Sequence, residues 1–119
     1  VRKILRHIAT SAGGLASILE GEKNEVIEQP KNMVELREIA EKLAANDARL
    51  IKLVNLEDKL IEFQRRGETV TWMRSTVLTQ AVHHSIEHRA QAVSALEARG
   101  YKAVNLDDFS VWDYELSQR

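Results

Sequence analysis

Residues 83–91 read HHSIEHRAQ, inside a run from about Thr71 to Arg99 that contains no Gly or Pro and reads as one helix. His84 and His88 stand four apart, so on a helix of 3.6 residues per turn they share a face and both imidazoles can converge on one point. On a helical wheel Val77, Leu78, Ala81, Val82, Ile86, Ala92, Val93 and Leu96 form one broad apolar arc. His84 and His88 lie at its edge and point inward, whereas His83 falls on the opposite side with Gln80, Glu87, Ser94 and Glu97. Two inward histidines at this spacing suit a metal ion. The same spacing also arises by chance, and an inward histidine is commonly a hydrogen-bonded core residue, so the pair alone does not decide between the two.

The remaining composition narrows the choice. The chain has 119 residues, enough for one domain with a core, and its 17 Lys and Arg against 18 Asp and Glu give a net charge of −1. These charges are well mixed, which leaves no electrostatic footprint for nucleic acid or an acidic membrane surface. Without cysteine there is no disulfide scaffold, thiolate zinc site or cysteine nucleophile, so any metal must be held by nitrogen and oxygen. No apolar run is long enough to span a bilayer and no signal-peptide pattern opens the chain, which leads us to expect a cytoplasmic protein. The opening VRKILRHIA lacks Met and is already in helical rhythm, as in the remainder of a longer protein.

Working outward from residue 83, a first helix is expected from Val1 to about Glu20, with Ile4, Leu5, Ile8, Ala12, Leu15, Ile18 and Leu19 on one face. His7 sits at the edge of that face beside Ser11, in the position that His84 and His88 hold on theirs, so packing could bring three imidazoles together. Taken alone, His7 reads as a core-edge histidine bonded to a carbonyl. Gly13 and Gly14 are out of place in a helix, and each costs about 1 kcal/mol relative to Ala. They predict a close approach by another backbone, space beside a site, or a bend. Gly21 ends the helix, and GEKNEVIEQPK reads as a surface connection.

Asn32 followed by Glu35 forms a capping-box pattern, opening a second helix from Met33 to about Asn55. Its predicted apolar face is Met33, Leu36, Ile39, Ala40, Leu43, Leu50, Ile51 and Val54, with Asp47 in the middle. A carboxylate there is expected to be solvated, or else to pair with Arg89 of the third helix, or to hold a ligating imidazole from behind. From Asn55 to Trp72 the rhythm alternates around a polar turn, and we read a short hairpin or extended segment near residues 60–71. The tail after Gly100 carries Tyr101, Phe109, Trp112 and Tyr114, four of the six aromatics, and is expected to pack back along the helices or, less simply, to close over a site.

The order of these features is similar to that of the DinB family, also called DinB/YfiT-like proteins. The resemblance is strongest from Leu60 to Tyr114, through IEFxxxGE, HHxxxHRxQ, a helix-ending Gly and a DDF step, and looser through LRHIA in the first helix. It implies an all-α fold, an up-down-down-up four-helix bundle with three long helices visible here, filling residues 1–119 as a single domain. It matches His84 and His88 to paired metal ligands and His7 to the single ligand from the earlier helix, with Arg89 and Gln91 after the second ligand and Asp108 in the tail. His83 stands where the family has Asn, and Ala90 where it has Gly. The family also carries a further helix before the one bearing the first ligand, and this chain shows none. The expectation is a chain incomplete at its N-terminus, with cover by a partner such as a second copy as the alternative.

The combined reading is a divalent metal, zinc or nickel, on His7, His84 and His88, with Asp47, Arg89 and Gln91 as supporting or pocket residues. The resemblance implies metal-dependent thiol transferases and hydrolases. We therefore expect activation of a thiol or water against a small molecule, with a low-molecular-weight thiol as a candidate partner and a homodimer as the assembly. No catalytic acid or base can be assigned: Glu87 points away, and Asp47 is the one inward carboxylate. The alternative is a non-enzymatic helical bundle acting as a metal-binding or dimeric interaction module.

Overall fold

The computed structural model describes residues 1–102 and 104–119. Three long helices carry the fold: α1 (Arg2–Glu20), α2 (Met33–Leu53) and α3 (Arg74–Glu97). A hairpin of β1 (Leu60–Arg65) and β2 (Glu68–Met73) precedes α3, and a 3-10 turn (Leu106–Phe109) and the short α4 (Val111–Ser117) follow it.

Local chemistry sets the helix ends. Gly21 takes the left-handed conformation at φ 71°, which costs an L side chain energy but not glycine, and Glu22 N–H donates to the Ser17 carbonyl at 2.9 Å. At the start of α2 the Asn32 side chain accepts from Glu35 N–H at 2.9 Å, while the Glu35 carboxylate reaches back to Lys31 N–H at 2.7 Å. This is the expected capping box shifted by one residue. No side chain next to α3 in sequence caps its start. Asp58, ahead of the hairpin, does so from a distance, accepting from Ser75 N–H at 2.9 Å and Ser75 Oγ at 2.7 Å. Those two bonds favour the ionised carboxylate and hold Asp58 below the usual carboxylate range.

Helix α1 is the centre, packed against both α2 and α3. It runs parallel to α2: Ala9 meets Ile39, Asn46 donates to the Ala9 carbonyl, Arg49 reaches Ser17 and Glu20, and Leu19 clusters with Leu53. Parallel neighbours need a connection as long as the helix itself. A 19-residue helix is about 28 Å long, and the segment 21–32, if extended, spans about 40 Å. This crossover is more than a surface loop, since Ile27, only 4% exposed, packs on Ala9 and Ile39. Helix α3 runs antiparallel to α1, with Val77 and Leu78 beside Leu15, Ile18 and Leu19. The hairpin adds Ile61 and Phe63 to the same cluster. Its strands pair from Leu60 with Met73 to Arg65 with Glu68, leaving Arg66 and Gly67 as the turn, both at positive φ (53° and 78°).

Several expectations need correction. The three long helices expected are present and run down, down, up, while α4 is only seven residues long and exposed. Val82 and Ile86, placed on the inward arc of α3, are 61% and 63% exposed, because no described element covers that side of the helix. On α2, Met33, Ile51 and Val54 are likewise exposed, and Leu53 takes the buried place instead. The aromatic tail neither packs back nor closes over a site: Tyr101, Phe109, Trp112 and Tyr114 are all exposed. Gly13 and Gly14 make room for side chains and not for a backbone. A Cβ on Gly13 would stand 2.7 Å from Asn46 Nδ2, and one on Gly14 would stand 3.2 Å from Asn24 Nδ2.

Candidate metal centre

Antiparallel packing of α1 and α3 carries His7 to the level of His84 and His88. Each histidine lies at the border of its helix's apolar face, so the rings meet where the core ends and solvent begins: His7 is exposed, and His84 and His88 are half-buried. One ring nitrogen from each falls within 4.8 Å of the other two. The ring centroids are 4.4–4.9 Å apart in edge-to-face arrangements. His84 Nε2 is 3.0 Å from His7 Nε2 and 3.1 Å from Ser11 Oγ.

These contacts bear on which ring nitrogens can bind a metal. His88 Nδ1 lies 2.8 Å from Gln91 Oε1, and an amide oxygen can only accept, so Nδ1 carries the hydrogen of this bond and Nε2 is the ring nitrogen left for a metal. Although His7 is exposed as a residue, partial desolvation of its ring, and secondarily the charge that His88 would carry, push the His7 imidazole below its ordinary value. For His84 burial again comes first, followed by repulsion from His88 and His7. Both effects favour the neutral ring, which is the form that binds a metal. The cluster fits a small divalent ion by donor type and by spacing, because ligand atoms about 2.0–2.1 Å from a tetrahedral ion stand about 3.3 Å apart. Three protein nitrogens would leave further coordination positions open.

The other predicted residues divide. Gln91 touches the cluster and fixes the orientation of His88, as a supporting residue should. Arg89 and Asp47 do not touch it. Their side chains pair with each other at 2.6 Å, joining α3 to α2, with 47% and 35% of each side chain exposed. The pairing therefore replaces the solvated carboxylate expected first. Asp47 does line a small cavity between the three helices, with Ser11, His84 and Ser85. Asp108 lies in the exposed 3-10 turn, and among the described residues its hydrogen bonds are local, to Asn105. His83 points away, as predicted, and pairs with Glu87 at 3.1 Å. The residue that sequence reasoning undervalued is Ser11. It stands four residues from His7 on the same face, a spacing visible in the sequence, but a serine hydroxyl is not a usual zinc ligand.

Comparison with known proteins gives the family. The family model of the DinB family matches residues 1–117, which extends the resemblance from the second half of the chain to nearly all of it. Searches of curated proteins and of solved structures gave no match. Since the match takes in α1 with His7 as well as α3 with His84 and His88, this chain belongs to the DinB family.

Proposed function

We propose that this DinB-family chain is a metal-dependent enzyme that holds zinc or nickel on His7, His84 and His88 and activates a thiol or water against a small electrophile. The observation that carries the reading is the meeting of three imidazole nitrogens within 4.8 Å at a solvent-facing edge of the core. A structural ion would be enclosed by a full ligand set, whereas this cluster supplies three nitrogens and is exposed at His7. When bound, the ion would supply Lewis acidity, lowering the pKa of a thiol or water at neutral pH. The chain's own part is positional. Helices α1 and α3 bring the ligands together, Gln91 orients the His88 ring, and desolvation favours the neutral rings of His7 and His84. The Asp47–Arg89 pair ties α3 to α2 beside the cluster. The directions of the long helices support the down-down-up portion of an up-down-down-up bundle as the scaffold.

The test is a comparison of zinc- and nickel-loaded wild-type and His84→Ala protein. One assay follows thioether formation between 2-mercaptoethanol and an activated aryl chloride, releasing chloride and a proton. The other follows hydrolysis of a nitrophenyl ester. Metal-dependent turnover in either, lost in the variant, supports the proposal, and equal rates in both proteins and in buffer would remove it.

A second reading has its own observation. Val34, Ile51, Val54, Val82 and Ile86 are each more than 60% exposed, a density of large apolar side chains that suits a module pairing with a second copy of itself. Sedimentation of the metal-free protein separates the two, since a self-associating module dimerises without metal and shows no turnover.

A further inference from the structure

We propose that Ser11 is the hydrogen-bond donor that orients the small exogenous ligand in the coordination position left open by the three histidines. This inference rests on the three-histidine reading above and adds a residue that neither the family match nor the ligand set assigns.

Ser11 Oγ lies 3.1 Å from His84 Nε2, the same nitrogen that His7 Nε2 approaches at 3.0 Å. The hydroxyl is therefore a wall group of the cluster itself. Among the described residues His84 is the only side-chain partner of Ser11. If an ion takes the His84 lone pair, the hydroxyl loses its acceptor while remaining half-buried, where an unsatisfied donor is costly. A neutral serine hydroxyl is a poor zinc ligand, so it does not simply become the fourth one.

Two other acceptors compete for it. One is the carbonyl of its own helix four residues back, the habitual partner of a helical serine. The other lies behind it, in the cavity lined by Ala12, Leu50, Asp47 and Ser85, where Ser85 Oγ is buried with no partner. That cavity has a volume of about 10 Å³, at the lower limit for a single water, so no larger ligand can approach Ser11 from behind. The exposed side of the cluster is at His7, and a ligand entering there beside His84 would bring its acceptor atom within reach of the Ser11 hydroxyl, which stands 3.1 Å from His84 Nε2. A thiolate or small anion, which accepts strongly and needs orienting, is the chemistry such a donor suits.

Cobalt(II) serves as a spectroscopic probe of the site and azide as the small anion. Wild-type, Ser11→Ala and Ser85→Ala proteins are titrated with cobalt, following visible absorption, and each cobalt-loaded protein is then titrated with azide. The proposal predicts cobalt affinity within about threefold of wild type in both variants, and azide affinity weakened about tenfold in Ser11→Ala alone. Unchanged azide affinity in Ser11→Ala overturns it, as does equal weakening in Ser85→Ala, which would point to a general disturbance of the packing. Loss of cobalt binding in Ser11→Ala also overturns it, by making the serine part of the ligand set. Absence of a cobalt spectrum from the wild type is a different failure, that of the three-histidine reading itself.

Discussion

The seam between α1 and α2 offers a prediction with opposing terms that can be separated. Gly13→Ala should stabilise α1 by about 1 kcal/mol on helix propensity alone. In this structure the new Cβ would stand 2.7 Å from Asn46 Nδ2, closer than real contacts allow, so Asn46 must move. Asn46 is not free to do so cheaply: its Nδ2 donates to the Ala9 carbonyl at 3.2 Å and its Oδ1 accepts from Arg49 at 2.9 Å. Losing both bonds costs about 2 kcal/mol, and residual crowding adds about 1 kcal/mol. Gly13→Ala should therefore destabilise the protein by about 1–2 kcal/mol. In an Asn46→Ala background the obstruction is gone, and the same substitution should stabilise by up to about 1 kcal/mol, tempered by Asn24 Oδ1 at 3.3 Å. The assay is urea unfolding of the four proteins in a double-mutant cycle, with a predicted coupling of about 2–3 kcal/mol against the ~0.5 kcal/mol within which independent sites add. Additivity, or a stabilised Gly13→Ala single variant, would refute the packing described for α1 and α2.

Three other predictions test separate parts of the fold. Arg66 holds φ 53° in a two-residue turn that favours Asn-Gly, so Arg66→Asn should raise stability by about 0.5–1 kcal/mol in urea unfolding. The Asp47–Arg89 pair is partly exposed, so Asp47→Asn should cost only about 0.2–1 kcal/mol, shrinking in high salt, with metal content unchanged because neither side chain touches a histidine. Asp58 is held below its ordinary pKa by Ser75, so its contribution is present above the ordinary carboxylate range and lost as pH falls through it to the lowered value. Wild-type and Asp58→Asn stabilities, measured by urea unfolding from neutral pH downward, should therefore differ most at neutral pH and converge in acid.

Where the sequence was legible, the information was local. The three histidines could be placed because helical periodicity fixes which residues share a face, and the borders of two apolar faces meet when helices pack. The hairpin was visible in the alternation about Gly67, and Gly21 and Asn32 mark helix ends by their own backbone chemistry. What periodicity cannot say is whether an apolar face is covered. Val82 and Ile86 have the spacing of core residues yet are exposed, and the same holds for Ile51 and Val54. The exposed aromatic tail fails for the same reason, since composition does not name a partner surface. Long-range polar contacts were illegible for a different cause: Asp58 caps a helix that starts 16 residues later, across a hairpin that must form first. Asp47 and Arg89 can be read from the sequence as possible partners, but charges at helix surfaces are usually solvated, and only the relative rotation of α2 and α3 decides that they meet.

The most direct test of the metal centre is metal content by mass spectrometry, after loading with zinc and separately with nickel and removing excess ion, for wild-type and His84→Ala protein. The account predicts close to one tightly held divalent ion per chain in the wild type and its loss in the variant. Wild-type protein that retains neither metal, or His84→Ala that retains as much as wild type, would contradict it.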